Sequence, residues 1–163
     1  MLDADALNLL AEQPPLRSLL QPGDICTPHP GEAARLLGVQ TSTVQEARET
    51  ALRALATLAP CLWILKGAGT LLVRGQGPVL VSPYDVPTLA VAGSGDVLAG
   101  CAGAFLARGL NAPQAAALAV GVHTRAGYVL RQRFPLRGCL ASDIVAALPQ
   151  ALASLDALPE VIC

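Results

Sequence analysis

Residues 61–82, CLWILKGAGTLLVRGQGPVLVS, predict three short strands separated by two glycine-containing turns. The opening run, CLWIL, is apolar throughout, which is typical of a buried strand. Apolar residues recur at helical spacing over the preceding residues 43–58, and Thr43 followed by Glu46 predicts a capping box at the start of that helix. A helix that leads into buried strands is typical of α/β proteins.

The same alternation continues on both sides of this segment. Upstream, the sequence predicts a strand at Ile25-Cys26 and a helix from Pro30 or Gly31 to Leu37, stopped by Gly38. Downstream, it predicts helices from Asp96 to Arg108 and from Asn111 to about Leu130, and a last helix capped by Ser142 with Asp143. This pattern favours an α/β fold with a largely parallel sheet, and residues 1–163 contain no repeat or linker that would divide one domain.

Composition excludes several classes of protein. Hydrophobic residues make up 53% of the chain and charged residues 14%, so the chain is not expected to be disordered. The formal net charge of −1, without a basic stripe, argues against a nucleic-acid partner. Charge, Gly and Pro interrupt every apolar run before it reaches the length of a membrane span, so we expect no membrane partner.

The five cysteines are far apart and form no C-x-x-C pair or zinc pattern. Four of them lie in apolar surroundings and are predicted to be small core residues. An odd count without a recognisable signal peptide favours a reducing, cytoplasmic location. The five are Cys26, Cys61, Cys101, Cys139 and Cys163.

Residues 90–100, AVAGSGDVLAG, carry a Gly-Ser-Gly turn followed by Asp96 at the start of a helix. The N-terminus of a helix presents free N–H groups and a partial positive charge, and glycines let an anion approach the backbone closely. A carboxylate there could accept a proton from a hydroxyl nucleophile. The alternative is that Asp96 only caps the helix. The turn is neither a P-loop nor a dinucleotide fingerprint.

Two further segments carry candidate chemistry. Lys66, with the Gly67–Thr70 turn behind it, could place a cation and backbone donors on a phosphate, or could be a surface lysine on a hairpin. His29 lies between two prolines that restrict its backbone, which favours a pre-positioned side chain over a solvated one. Glu32 is expected to favour the helix dipole, and His123 is expected to be a packing residue in a helix of small side chains.

Taken together, five segments resemble the motifs of the ADP/ATP-dependent NAD(P)H-hydrate dehydratase family, a branch of the ribokinase-like superfamily. They occur in the family's order and span nearly the whole chain: LDADALN, TPHPGEAARLLG, LKGAGT, GSGDVLAG and LASDIVAALP. The resemblance implies a three-layer α/β/α sandwich with its active site at the carboxyl edge of the sheet. It also implies repair of NADH and NADPH whose nicotinamide ring has been hydrated, coupled to hydrolysis of ADP or ATP with Mg²⁺.

The resemblance also implies roles for individual residues. Asp96 would be the base that activates the hydroxyl of the hydrate for phosphorylation, and His29 would contact the same substrate. No set of protein metal ligands is predicted, and the expected partners are small-molecule substrates and further copies of the chain in a homo-oligomer. The residues expected to bind nucleotide are Lys66, Gly67, Ala68, Gly69, Thr70, Gly93, Ser94 and Gly95.

The family's upstream half has no counterpart in these residues, so we expect a partial, N-terminally truncated dehydratase domain over residues 1–163. Two alternatives remain open. One is a ribokinase-like kinase of a small alcohol, which would share the glycine turn and the aspartate. The other is a truncated paralogue that binds nucleotide without catalysis.

Overall fold

The computed structural model describes residues 1–82, 86–134 and 138–156. The strands are β1 (Ile25–Cys26), β2 (Leu62–Leu65), β3 (Leu71–Arg74) and β4 (Leu80–Val81). The helices are α1 (Asp5–Glu12), α2 (Pro30–Leu37), α3 (Thr41–Glu46), α4 (Arg48–Leu58), α5 (Ser94–Ala107), α6 (Ala112–Arg131) and α7 (Ala141–Asp156). Within these ranges, no helix combines the length and the apolar character needed to cross a bilayer.

The four strands form one mixed sheet in the order β1-β2-β3-β4. β1 and β2 are parallel, with Ile25 opposite Leu62, and Leu2 adds an isolated parallel bridge to Cys26. The three strands predicted from residues 61–82 are present, and they pair antiparallel as a meander. Only the β1 side of the described sheet is parallel, so the sheet is mixed and the prediction of a largely parallel sheet is wrong: short turns reverse the chain between β2, β3 and β4.

Helices cover both faces of the sheet, which confirms the α/β/α sandwich. Along β2 the side chains alternate, so Trp63 and Leu65 face α1, α2 and α4, whereas Leu62 and Ile64 face α5 and α6. Every residue of β2 is buried, as expected of a strand covered on both sides. A third apolar cluster joins α6 to α7.

Two helix ends form as their local signals predict, and a third helix begins earlier than predicted. Gly38 closes α2 in the left-handed conformation, and the Asn111 side chain caps α6 by accepting from the Gln114 N–H at 3.0 Å. α5 begins at Ser94, two residues before the predicted start, and ends at Ala107.

The cysteines among the described residues are free and buried, as predicted, and Cys163 lies outside those residues.

Two caps do not form as predicted, although Asp143 takes part in the second. The segment that follows Gly38 forms two helices broken at Ala47, and α3 starts at Thr41 with no side-chain cap, so the Thr43–Glu46 box is not formed. Ser142 lies inside α7, and the Asp143 carboxylate instead accepts from the Leu140 N–H at 2.8 Å. In both places the helix begins earlier than the nearest capping residue suggested.

Candidate active site

The parallel part of the sheet brings three titratable side chains to one edge. Asp3 follows the Leu2 bridge, His29 follows β1, and Lys66 follows β2. Because these segments run in the same direction, their carboxyl ends meet, and the Lys66 N–H donates to the Pro28 carbonyl at 2.9 Å. Ligands of open α/β sheets bind at this edge.

A cavity of about 420 Å³ opens between this edge and the N-terminus of α5. Most of the residues predicted to bind nucleotide line it, together with His29, and the 3₁₀ segment Pro87–Leu89 and α6 form the remaining walls. The predicted residues that line the cavity are His29, Lys66, Gly67, Ala68, Thr70, Ser94 and Gly95. Gly69, Gly93 and Asp96 are not among its lining residues.

Lys66 is held between a partly buried carboxylate, Asp3, and a buried one, Glu32. Its Nζ lies 2.6 Å from Asp3 Oδ1 and 3.8 Å from Glu32 Oε2. The three side chains are at most 16% exposed. The lysine is therefore a fixed, partly buried cation and not the solvated hairpin lysine that the sequence also allowed.

Gly95 approaches this lysine closely. A Cβ added at Gly95 would lie 3.2 Å from Lys66 Nζ, which is tighter than most contacts of real Cβ atoms. The absence of a side chain therefore lets the ammonium group lie against the first turn of α5. A positive side chain and a helix N-terminus together favour an anion at this point.

One arginine, Arg48, holds the loop that follows Lys66. Its guanidinium donates to the carbonyl oxygens of Leu65, Lys66 and Gly69 at 3.3–3.4 Å. Burial lowers the pKa of Arg48 from its usual value, yet a guanidinium stays charged in proteins. No local pattern in the sequence pointed to this residue, because its partners lie 17 to 21 positions along the chain.

The His29 side chain is pre-positioned, and the hydrogen bonds of its ring contribute to this together with the flanking prolines. It is the N-cap of α2, and its Nδ1 accepts from the N–H groups of Gly31 and Glu32 at 2.9 and 3.4 Å. Glu32 Oε2 in turn accepts from the His29 N–H at 2.7 Å. The ring is about half exposed, so its outer edge remains accessible at the cavity.

Asp96 lies on the opposite side of the α5 N-terminus. The helix is capped by Gly93 in the left-handed conformation, so the alternative that Asp96 is the N-cap is wrong. The Asp96 side chain is exposed and lines a second cavity of about 500 Å³ with Gly93, Ala141 and Ser142. The first turn of α5 therefore separates two cavities, one on the Ser94 and Gly95 side and one on the Asp96 side.

His123 belongs to the first cavity, which the sequence did not predict. Its ring is 8% exposed, and Nε2 lies 3.1 Å from Ser94 Oγ in the first turn of α5. Burial lowers its pKa to about 4, and a backbone hydrogen bond with Ser94 opposes part of that shift. A signal was present in hindsight, because one imidazole interrupts a helix whose other buried residues are almost all small or apolar.

No group of three or more His, Cys, Asp or Glu side chains that could hold a metal ion occurs within residues 1–82, 86–134 and 138–156. The candidate site is instead built from one lysine, backbone groups of two glycine turns, and carboxylates on either side of them. Such a set suits phosphoryl transfer, in which positioning and charge stabilisation dominate over covalent chemistry by the protein.

Comparison with solved structures places this chain among the ribokinase-like α/β proteins. A ribokinase-like superfamily protein from Enterococcus faecalis matches with a TM-score of 0.75 and 25% identity, over 93% of this chain and 51% of that one. The ADP/ATP-dependent NAD(P)H-hydrate dehydratase from Bacillus subtilis, co-crystallised with ATP/Mg²⁺, has the same fold, with a TM-score of 0.76 and 24% identity over 93% of this chain and 53% of that one.

Sequence comparison then gives the family. A family profile described as NAD(P)H-hydrate dehydratase matches residues 1–150. The ADP-dependent (S)-NAD(P)H-hydrate dehydratase of Neisseria meningitidis is 38% identical over 150 residues, which are 90% of this chain and 51% of that protein. The chain belongs to the NAD(P)H-hydrate dehydratase family, and it spans about half the length of that relative.

Proposed function

We propose that this chain carries out the dehydration of hydrated NADH and NADPH with ADP or ATP as phosphoryl donor. One observation carries the proposal: Lys66, the loop behind it and the first turn of α5 line a single cavity, and Asp96 follows in the same turn. The name of the Neisseria meningitidis relative supports the reaction and the ADP dependence.

The nucleotide would occupy the cavity on the Ser94 side. Its transferable phosphate would lie at the N-terminus of α5, where Gly95 leaves room beside Lys66 Nζ. The partly buried ammonium group and the helix N-terminus would stabilise the charge that spreads over the phosphate oxygens during transfer. The apolar wall formed by Val86, Pro87 and Leu89 would face the less polar part of the nucleotide.

Asp96 would act on the hydrate from the other side of the same turn. It would take the proton of the ring hydroxyl as that oxygen bonds to the terminal phosphorus of the donor, whose bond to the leaving nucleotide breaks. Phosphate would then leave the ring carbon while the adjacent carbon loses a proton, which restores the double bond. His29 is the residue we propose for a second contact with the hydrate, which would extend around the N-terminus of α5 from Asp96 to the exposed ring of His29 at the rim of the nucleotide cavity.

Magnesium is the cofactor we propose for this reaction. A magnesium ion bound with a nucleotide keeps several waters and uses only one or two carboxylates beside the phosphates. The carboxylates next to Lys66 are Asp3 and Glu32, which already contact its ammonium group and do not line the cavity, so the ion would be held mainly by the nucleotide phosphates and its own waters. The ion would neutralise phosphate charge. The cytoplasmic location and the homo-oligomer stay predictions.

The proposal is tested by following recovery of NADH from its hydrate, with ADP or ATP and Mg²⁺, in the chain and in Asp96→Asn. We expect Asp96→Asn to lose at least about a hundred-fold in kcat, the lower range for loss of a general base, while nucleotide binding stays within a few-fold. Asp5→Asn is the matched control, because Asp5 is an exposed carboxylate in the first turn of α1, away from both cavities.

Three outcomes would contradict the proposal. Equal turnover by the unmodified chain and by Asp96→Asn would show that Asp96 is not the general base. Binding of ADP without any turnover of the hydrate would favour the nucleotide-binding paralogue. Transfer of phosphate to a small alcohol, with a stable phosphorylated product, would favour the kinase.

A further inference from the structure

We infer that His123 is a positioning residue, which orients the Ser94 hydroxyl so that its proton points at an anion bound at the N-terminus of α5. The inference rests on the proposed nucleotide site and adds to it the group that orients one of its donors. Both side chains are buried, at 8% and 6% exposure, and both line the same cavity. Nε2 of His123 lies 3.1 Å from Ser94 Oγ.

The hydrogen bond between these two groups can form in two directions. If Nε2 carries the proton, it donates to Ser94 Oγ and leaves the hydroxyl proton free for another acceptor. If Nε2 is unprotonated, the hydroxyl donates to the ring, and only oxygen lone pairs of Ser94 face the cavity. A phosphate oxygen would be attracted in the first case and repelled in the second.

The surroundings of His123 favour the first direction. Burial keeps the ring neutral near pH 7, so only one ring nitrogen carries a proton. Among the described residues, the hydrogen-bond partner of this ring is Ser94 Oγ at Nε2, so a proton on Nε2 has an acceptor, whereas the structure describes none for a proton on Nδ1. The proton is therefore drawn to the ring edge that faces Ser94.

A neutral donor also suits this position better than a cation. Lys66 Nζ already supplies the positive charge, and it lies against Gly95, the residue next to Ser94. His123 reaches the site from the middle of α6, a helix of 20 residues, so the imidazole is fixed by packing on a rigid element. A hydroxyl held in advance needs no reorientation when an anion arrives, which is how preorganised donors gain strength.

The test combines two replacements of His123 that differ in one property. His123→Gln keeps an N–H donor at a position close to Nε2, whereas His123→Leu keeps a similar volume without a donor. We expect His123→Leu to raise the KM and the Kd for ADP with Mg²⁺ by about ten-fold or more, with a smaller loss in kcat. His123→Gln should stay within about three-fold of the unmodified chain in each of these constants.

Ser94→Ala and the double variant Ser94→Ala/His123→Leu complete a cycle. If His123 acts through Ser94, Ser94→Ala alone weakens ADP binding about as much as the double variant. Two independent, additive losses would overturn the inference. So would equal losses in His123→Gln and His123→Leu, because a residue that only packs is not rescued by a donor.

Nitrogen-15 NMR of the ring gives a readout that needs no turnover. We expect the Nε2–H tautomer at neutral pH in the chain without nucleotide, and an Nδ1–H tautomer would overturn the inference. Loss of hydrate turnover with intact ADP binding would count against the proposed function alone. Unchanged ADP binding in His123→Leu would count against this inference alone.

Discussion

Arg48 and Lys66 are joined through the main chain of Lys66, whose carbonyl oxygen accepts from Nη1 and Nη2 of the arginine at 3.3 and 3.4 Å. The same guanidinium reaches the Gly69 carbonyl at 3.3 Å. One side chain thus holds both ends of the loop that carries the proposed nucleotide contacts. Arg48 is the first residue of α4, after the break at Ala47 that separates this helix from α3.

Replacing Arg48 by Lys is expected to loosen this loop. A lysine has three donors at a single point and cannot span carbonyls at both ends as the planar guanidinium does. We expect Arg48→Lys to weaken ADP binding about ten-fold, which corresponds to one or two hydrogen bonds. Calorimetry gives the affinity, and hydrogen exchange of residues 67–70 reports the loop.

Arg53 provides the matched control for Arg48. It lies on the same helix and donates to the Gly77 carbonyl at 2.6 Å, in the other turn of the meander. Arg53→Lys should leave ADP binding and the exchange of residues 67–70 unchanged. Equal effects of the two substitutions would show that α4 acts on the hairpin as a whole and that Arg48 has no special part.

Gly95→Ala is expected to disturb Lys66 without unfolding the chain. The added Cβ would lie 3.2 Å from Lys66 Nζ, and the ion pair with Asp3 at 2.6 Å limits how far the ammonium group can retreat. We expect weaker ADP binding, measured by calorimetry, with little loss of stability. Gly103→Ala, at an unobstructed position on the same helix, should bind ADP normally and gain about 0.5–1 kcal/mol of stability. Normal ADP affinity in Gly95→Ala would contradict the close-approach argument.

The fold was predictable where the signals are local. Gly38 and Asn111 end and begin their helices through contacts within a few residues, so their roles follow from the sequence alone. The break at Ala47 was not predictable, because the apolar spacing continues across it. It depends on tertiary contacts: Val44 is fully buried before the break, and Arg48 reaches the hairpin after it.

The candidate site was likewise predictable only where its signals are local. Lys66 and Gly95 were predicted because each stands in a glycine-rich turn next to a strand or helix end. The sequence could not show that Asp3 pairs with Lys66, since the two are 63 positions apart and meet only through the parallel part of the sheet. His123 was missed for a related reason, because its partner Ser94 lies 29 positions away on another helix.

Burial of His123 predicts that stability falls in mild acid. Its pKa is lowered from 6.5 to about 4, so between these values the unfolded chain binds a proton that the folded chain resists. Compared with its value above pH 6.5, the free energy of unfolding therefore falls by roughly 3 kcal/mol in total as the pH drops towards 4. Urea unfolding of the chain and of His123→Gln at pH 7 to 4 isolates it, because other titrating groups are common to both. Parallel pH profiles for the two proteins would contradict the lowered pKa.

Gly127 lies where α6 contacts the 3₁₀ segment at the cavity wall. A Cβ added there would lie 2.7 Å from both Leu89 Cγ and Val86 Cγ1, and Thr88 Oγ1 donates to the Gly127 carbonyl at 3.0 Å. We therefore expect Gly127→Ala to overpack this contact and to lower the free energy of unfolding by about 1–3 kcal/mol, measured with urea.

Gly121, on the same helix, is the matched control for this overpacking. No atom among the described residues lies within 4 Å of an added Cβ there, so Gly121→Ala should raise stability by about 0.5–1 kcal/mol through helix propensity alone. If Gly127→Ala is as stable as Gly121→Ala, the 3₁₀ segment moves away from the added methyl group without loss of stability, and the overpacking argument is wrong. Because Val86 and Leu89 line the cavity, the overpacked variant should also bind ADP more weakly than the control.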